Sequence, residues 1–112
     1  MAKFLAVYIG TATDDEKAQP LDRTVEQAGM TAWGRWMEEN AGAILDQGGP
    51  LGHTKAIDRG GIRDSRNQMT AYLILEADSL EEAAARFRNH PHFTIFPGDR
   101  VEVVECLEMP AA

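Results

Sequence analysis

Six apolar residues in succession, Phe4-Leu5-Ala6-Val7-Tyr8-Ile9, end at Gly10 and restrict this chain more than any other stretch. A run so short, with β-branched and aromatic members, reads as a strand buried on both faces. The stretch from Thr70 to Ala77 has the same character. Ala71, Leu73 and Leu75 fall on one face, with Tyr72 and Ile74 on the other. A sheet holding two such strands at its centre needs cover on both sides.

The chain has helices for one side. Between Thr24 and about Asn40, Val25, Ala28, Gly29, Ala32 and Trp36 share a helical face at the 3.6-residue period, and Met30, Trp33 and Met37 form a second stripe beside it. Pro20 and Asp22 lead into this helix, Thr24 and Gln27 suit a capping box, and Ala41-Gly42 marks its end. A second helix opens at Ser79-Leu80-Glu81-Glu82, another capping box, buries Leu80, Ala83, Ala84 and Phe87, and stops at Pro91, which turns His90 away from helical angles.

Ala43 to Gln47 reads as a short strand closed by Gly48-Gly49-Pro50, and Val101 to Leu107 as the last strand, followed by a tail over 108–112. Thr11 to Pro20 is a polar loop. Residues 51–68 form an irregular excursion, in which Thr54–Asp58 and Ile62-Arg63 could pair across Arg59-Gly60-Gly61, or which could act as a functional flap.

The order is therefore strand, helix, strand, strand, helix, strand. This predicts an α+β domain of the ferredoxin-like βαββαβ kind, with an antiparallel four-stranded sheet and both helices on one face. Right-handed crossovers put the helices on the same side and leave the other side bare. Each large apolar side chain left in water there would cost about 1.5–3 kcal/mol. A second copy of the sheet about a two-fold axis is the expected cover, giving a homodimer.

A chain of 112 residues fits a single domain over 1–112. Its one cysteine, Cys106, permits no intrachain disulfide and suits a reducing compartment; with no segment long enough to span a bilayer, a soluble cytoplasmic protein is expected. With 18 acidic against 11 basic residues the net charge is −7, which repels polyphosphate and argues against nucleic acid. Arg59, Arg63 and Arg66 come closest to a basic patch, but Asp58 and Asp64 interrupt it.

Two blocks of sequence carry a family resemblance. The first runs Trp33-Gly34-Arg35-Trp36-Met37-Glu38-Glu39, Ala41-Gly42-Ala43-Ile44-Leu45 and Gly49-Pro50-Leu51-Gly52. The second holds Ala71 to Ala83, His90-Pro91-His92 and Val101-Glu102-Val103. Together they resemble the YCII-related proteins, including their DGPF branch, over nearly the whole chain. The resemblance implies a ferredoxin-like subunit that forms a dimeric α/β barrel with a pocket between helix and sheet. Some members carry a first-helix histidine paired with an aspartate. Here no histidine lies between Thr24 and Asn40, Thr31 stands near the expected place, and Asp64 is followed by Ser65-Arg66-Asn67 rather than by the DGPF signature. The dyad cannot be carried over.

The residues that could carry chemistry are few. His53 follows the bend Gly49-Pro50-Leu51-Gly52 and titrates near neutrality, so with Asp46 or Asp64 it could transfer a proton. Trp33 and Tyr72 could contact a flat substrate, and Trp36 reads as core. His90 and His92 are candidate binding residues; no third ligand is spaced to complete a metal site with them, and helix C-terminal charge compensation accounts for His90. Cys106, among valines, reads as a buried thiol. The glycine-rich Gly48–Gly52 segment lacks the lysine and following helix of a phosphate loop.

The expected function is a cofactor-independent small-molecule pocket of isomerase, lyase or hydrolase type. A non-enzymatic ligand-binding dimer and a cofactorless monooxygenase-like protein are the alternatives.

Overall fold

A computed structural model describes residues 1–11 and 20–110. The loop expected at Thr11–Pro20 and the end of the expected tail lie largely outside these residues. The elements in chain order are β1 (Ala2–Ile9), α1 (Arg23–Glu39), β2 (Ile44–Pro50), β3 (Thr54–Asp58), β4 (Gly61–Ser65), β5 (Met69–Ala77), α2 (Leu80–Ala85), α3 (Pro91–Thr94) and β6 (Arg100–Cys106). A four-stranded sheet runs β2-β5-β1-β6, and β3 pairs with β4 in a sheet of their own. Every pairing is antiparallel. The chain is thus α+β with helices beside an antiparallel sheet, compatible with a ferredoxin-like fold.

The doubly apolar strands occupy the centre. β1 sits between β5 and β6, with Phe4 opposite Leu75, Ala6 opposite Leu73 and Tyr8 opposite Ala71. Phe4, Ala6, Tyr8, Leu73 and Leu75 are all buried, in one cluster with Trp36, Ala83 and Phe87. The helices therefore cover this face. Trp36 lies in the core and its indole N–H donates to the Arg86 carbonyl oxygen at 2.8 Å, joining the end of α1 to the turn after α2. Asn40 completes the joint: its amide donates to the Trp36 carbonyl oxygen, and its side-chain oxygen accepts from Arg86 at 2.9 Å.

On the opposite face the registered neighbours are Leu5, Ile74 and Val104 in one row and Val7, Tyr72 and Glu102 in the next. Leu5, Tyr72 and Ile74 are half-buried and Val104 is 50% exposed. The middle of this face is apolar and only partly covered within the chain, with Val7 buried, Glu102 at its edge and Lys3 opposite Glu76 towards the strand ends.

Several local features differ from the sequence expectation. The cap of α1 is Asp22, whose carboxylate accepts from the amides of Thr24 and Val25, rather than Thr24 with Gln27. A carboxylate at that place also complements the helix dipole. The second helix is short, because the chain turns after Ala85 and Asn89 adopts a left-handed φ of 56°. Ser79 does cap α2, accepting from the Glu82 amide at 3.0 Å, while Ala84 is exposed. The excursion over 51–68 contains its own hairpin, with Thr54 opposite Ser65 and Ile57 opposite Ile62. Cys106 is half-exposed rather than buried.

β2 extends past Gln47 to Pro50 through an irregularity between Asp46 and Gly49. Gly48 makes this possible. Its φ is +62°, and a Cβ there would lie 1.8 Å from the Tyr72 carbonyl oxygen. Asp46 stabilises the same bend by accepting the Gly48 amide at 2.8 Å.

Candidate functional site

Three elements converge at the end of β1. Tyr8 is its next-to-last residue, Trp33 comes from α1, and His90 and His92 flank Pro91 at the start of α3. Proline fits the first turn of α3 because no intrahelical partner is missed there, and its fixed φ favours helix entry. It also holds His90 in an extended conformation, with φ −59° and ψ 141°, as the helix cap.

His90 is fully buried and His92 almost so. The His92 amide donates to His90 Nδ1 at 3.0 Å, and His90 Nε2 lies 3.3 Å from the Tyr8 hydroxyl. His92 Nε2 lies 2.8 Å from the Ile9 carbonyl oxygen. The rings pack on one another: Trp33 meets Tyr8 at a centroid distance of 4.9 Å and His90, edge-on, at 4.5 Å. Close approach of the α3–β6 turn completes the packing, since a Cβ on Gly98 would fall 2.2–2.5 Å from atoms of the His92 ring.

Burial governs the protonation of this cluster. Desolvation first, and the neighbouring His92 second, lower the His90 pKa to about 4. Desolvation also raises the Tyr8 pKa, so the side chain stays a phenol. His90 is therefore a neutral capping residue, and charge compensation at a helix C-terminus does not describe it.

In front of the cluster lies a cleft of about 380 Å³ between α1 and the sheet. Trp33, Met30 and Met37 form its helix side, Tyr8, His92, Gln47 and Thr70 bring its polar groups, and Gly49 and Pro50 lie on the strand side. No charged side chain lines it among the described residues. Tyr72 also contributes to the lining, although its register opposite Val7 assigns its side chain to the other sheet face. Such a site can hold a flat apolar body against Trp33 and hydrogen-bond its polar group.

A second concavity, of about 580 Å³, lies at the base of the hairpin. His53 and Asp64 line it together with Thr54, Lys55 and Ser65. Asp64 is ion-paired to Lys55, and both partners are largely exposed. Asp46 does not line this concavity; its carboxylate is bonded at the Gly48 bend. The sequence candidates thus fall into two places: His53 with Asp64 beside the hairpin, and Trp33 and His92 around the cleft, with His90 behind it and the Tyr72 side chain on the opposite face of the sheet.

Tyr8 had no signal of its own in the sequence. It stands inside an apolar strand, where a tyrosine reads as core, and its hydroxyl gains meaning only through His90, 82 positions away.

No protein-family model matches the chain, and no curated protein matches it. Among solved structures, the chain is similar to 5-chloro-2-hydroxyhydroquinone dehydrochlorinase (TftG) from Burkholderia phenoliruptrix AC1100, in complex with 2,5-dihydroxybenzoquinone. The two share 22% identity with a TM-score of 0.53, over 90% of this chain and 89% of that one. The likeness is one of fold. No helix among the described residues is long and apolar enough to cross a membrane.

Proposed function

We propose that this chain is a small-molecule-binding protein of the YCII-related type, a βαββαβ subunit of a two-fold dimeric barrel. Its ligand lies in the cleft between α1 and the sheet. The observation that carries the reading is the combination of an uncharged cleft walled by Trp33 with the polar groups of Tyr8 and His92. An ionised ligand would lose its hydration there without gaining a counter-charge, so the cleft favours a neutral, flat molecule bearing oxygen. The oxygenated ring in the TftG complex supports that choice of shape.

If the protein is an enzyme, it works without a cofactor and His92 is the group that exchanges a proton with the ligand. Its Nε2 is held by the Ile9 carbonyl and its Nδ1 has no hydrogen-bond partner among the described residues. Binding without turnover would mark a non-enzymatic ligand-binding dimer, and oxygen uptake with a quinol would mark the monooxygenase alternative. A second reading puts proton transfer at His53, with Asp64 beside it and Asp46 more remote. It is favoured by the shared lining of the hairpin concavity.

Calorimetric titration with 2-naphthol separates the two places. Trp33→Ala is expected to weaken binding at least about tenfold, and His53→Ala to leave it unchanged, in line with the roughly 1–3 kcal/mol carried by aromatic contacts of this kind. Loss of binding in His53→Ala with Trp33→Ala intact would move the site to the hairpin.

A further inference from the structure

The hydrogen bonds behind the cleft have a direction. A backbone amide can only donate, so His90 Nδ1, which receives the His92 amide, is an acceptor and carries no proton. The neutral ring then holds its proton on Nε2, and that N–H points to the Tyr8 oxygen. With its oxygen accepting from His90, Tyr8 keeps its own proton for another partner. Among the described residues nothing else accepts it, and Tyr8 lines the cleft. At His92 the direction is reversed. The Ile9 carbonyl accepts only, so His92 Nε2 carries the proton and Nδ1 is left as a bare acceptor.

We infer that His90 is a positioning residue that fixes the polarity of the cleft, so that Tyr8 presents a hydrogen-bond donor and His92 an acceptor to one ligand. The ligand class follows: a flat, neutral molecule with a carbonyl-type oxygen for Tyr8 and a hydroxyl for His92. This rests on the proposed reading of the cleft as the binding site. The burial that lowers the His90 pKa acts in the same sense, since a protonated ring would lose its bond from the His92 amide.

Two measurements test the inference, and they fail separately. The first needs no ligand: long-range ¹⁵N–¹H correlation spectra of the intact protein at pH 7 report which ring nitrogen is protonated. Both His90 and His92 are expected as Nε2–H tautomers; an Nδ1–H or a charged ring at His90 overturns the assignment whether or not anything binds. The second uses matched probes, each with one polar group: 2-naphthol against 2-methoxynaphthalene for the His92 acceptor, and 2-acetylnaphthalene against 2-ethylnaphthalene for the Tyr8 donor.

Each polar probe is expected to bind about tenfold tighter than its partner, the margin of one well-placed hydrogen bond. Tyr8→Phe should abolish the acetyl preference and spare the naphthol preference. His90→Asn retains an acceptor for the His92 amide, as asparagine is a good helix cap, but cannot reach Tyr8. It should shrink the acetyl preference alone. Probes that bind without preference, or an acetyl preference that survives Tyr8→Phe, overturn the inference. Failure of all four probes to bind overturns the cleft reading and the ligand class with it, while the tautomer spectra still judge His90.

Discussion

His90 is buried in its neutral form, and this has a thermodynamic cost at low pH. Its ordinary pKa of 6.5 falls to about 4 in the folded chain, so protonation favours the unfolded state. The stabilisation is complete above about pH 6.5 and is lost as pH falls from there towards 4. A depression of this size corresponds to a loss on the order of 3 kcal/mol across the window. Urea unfolding between pH 7 and 5 should therefore show falling stability in the native sequence and a flatter profile in His90→Asn. Equal slopes in the two proteins would contradict the burial argument. Asp46 is tied up locally as well. In the sequence it looks like a carboxylate available for chemistry, but it is bonded to an amide two residues away, at a bend that only the three-dimensional pairing of β2 with β5 reveals.

At the level of elements, that bend gives a sharp prediction. Gly48 combines a left-handed φ with a backbone oxygen where its Cβ would be. Gly48→Ala should destabilise the domain by about 3 kcal/mol or more, read from thermal or denaturant melts, because neither the angle nor the contact can be relieved by a rotamer change. A control at Gly49, where a Cβ would meet nothing within 4 Å, should be nearly neutral.

The strands and α1 were legible because they rest on local periodicity. The runs Phe4–Ile9 and Thr70–Ala77 are strands, and the hairpin in the excursion pairs as its residues suggested. What the sequence could not show was the junction of elements. Helix α2 ends sooner than its apolar spacing implies, and the segment after it becomes a separate turn whose purpose is to deliver two rings to the end of β1. His90 and His92 were visible as candidates, but their bonds to Tyr8 and Ile9 span more than 80 positions and leave no periodic trace.

Seen whole, the molecule is a thin slab of 52 × 41 × 18 Å. Its smallest dimension has room for one sheet and one layer of helices, which are roughly 10 Å apart in packed layers. In the proposed dimer a second subunit supplies the third layer, and the row Leu5, Ile74 and Val104 is the surface it would meet. Sedimentation equilibrium should find a particle of twice 12.3 kDa at micromolar concentration, and Ile74→Glu should return it to single subunits. A native chain that stays single at tens of micromolar would contradict the pairing.

The phenol at the end of β1 has an evolutionary consequence. Tyr8 is 1% exposed and packs against rings from α1, α3 and the turn after α2, so the hydroxyl assigned to the proposed ligand hangs from the keystone of the interior. A descendant with no use for the ligand could shed the hydroxyl, but not the ring. A lineage that no longer bound the proposed ligand would keep a phenylalanine there rather than a scatter of residue types.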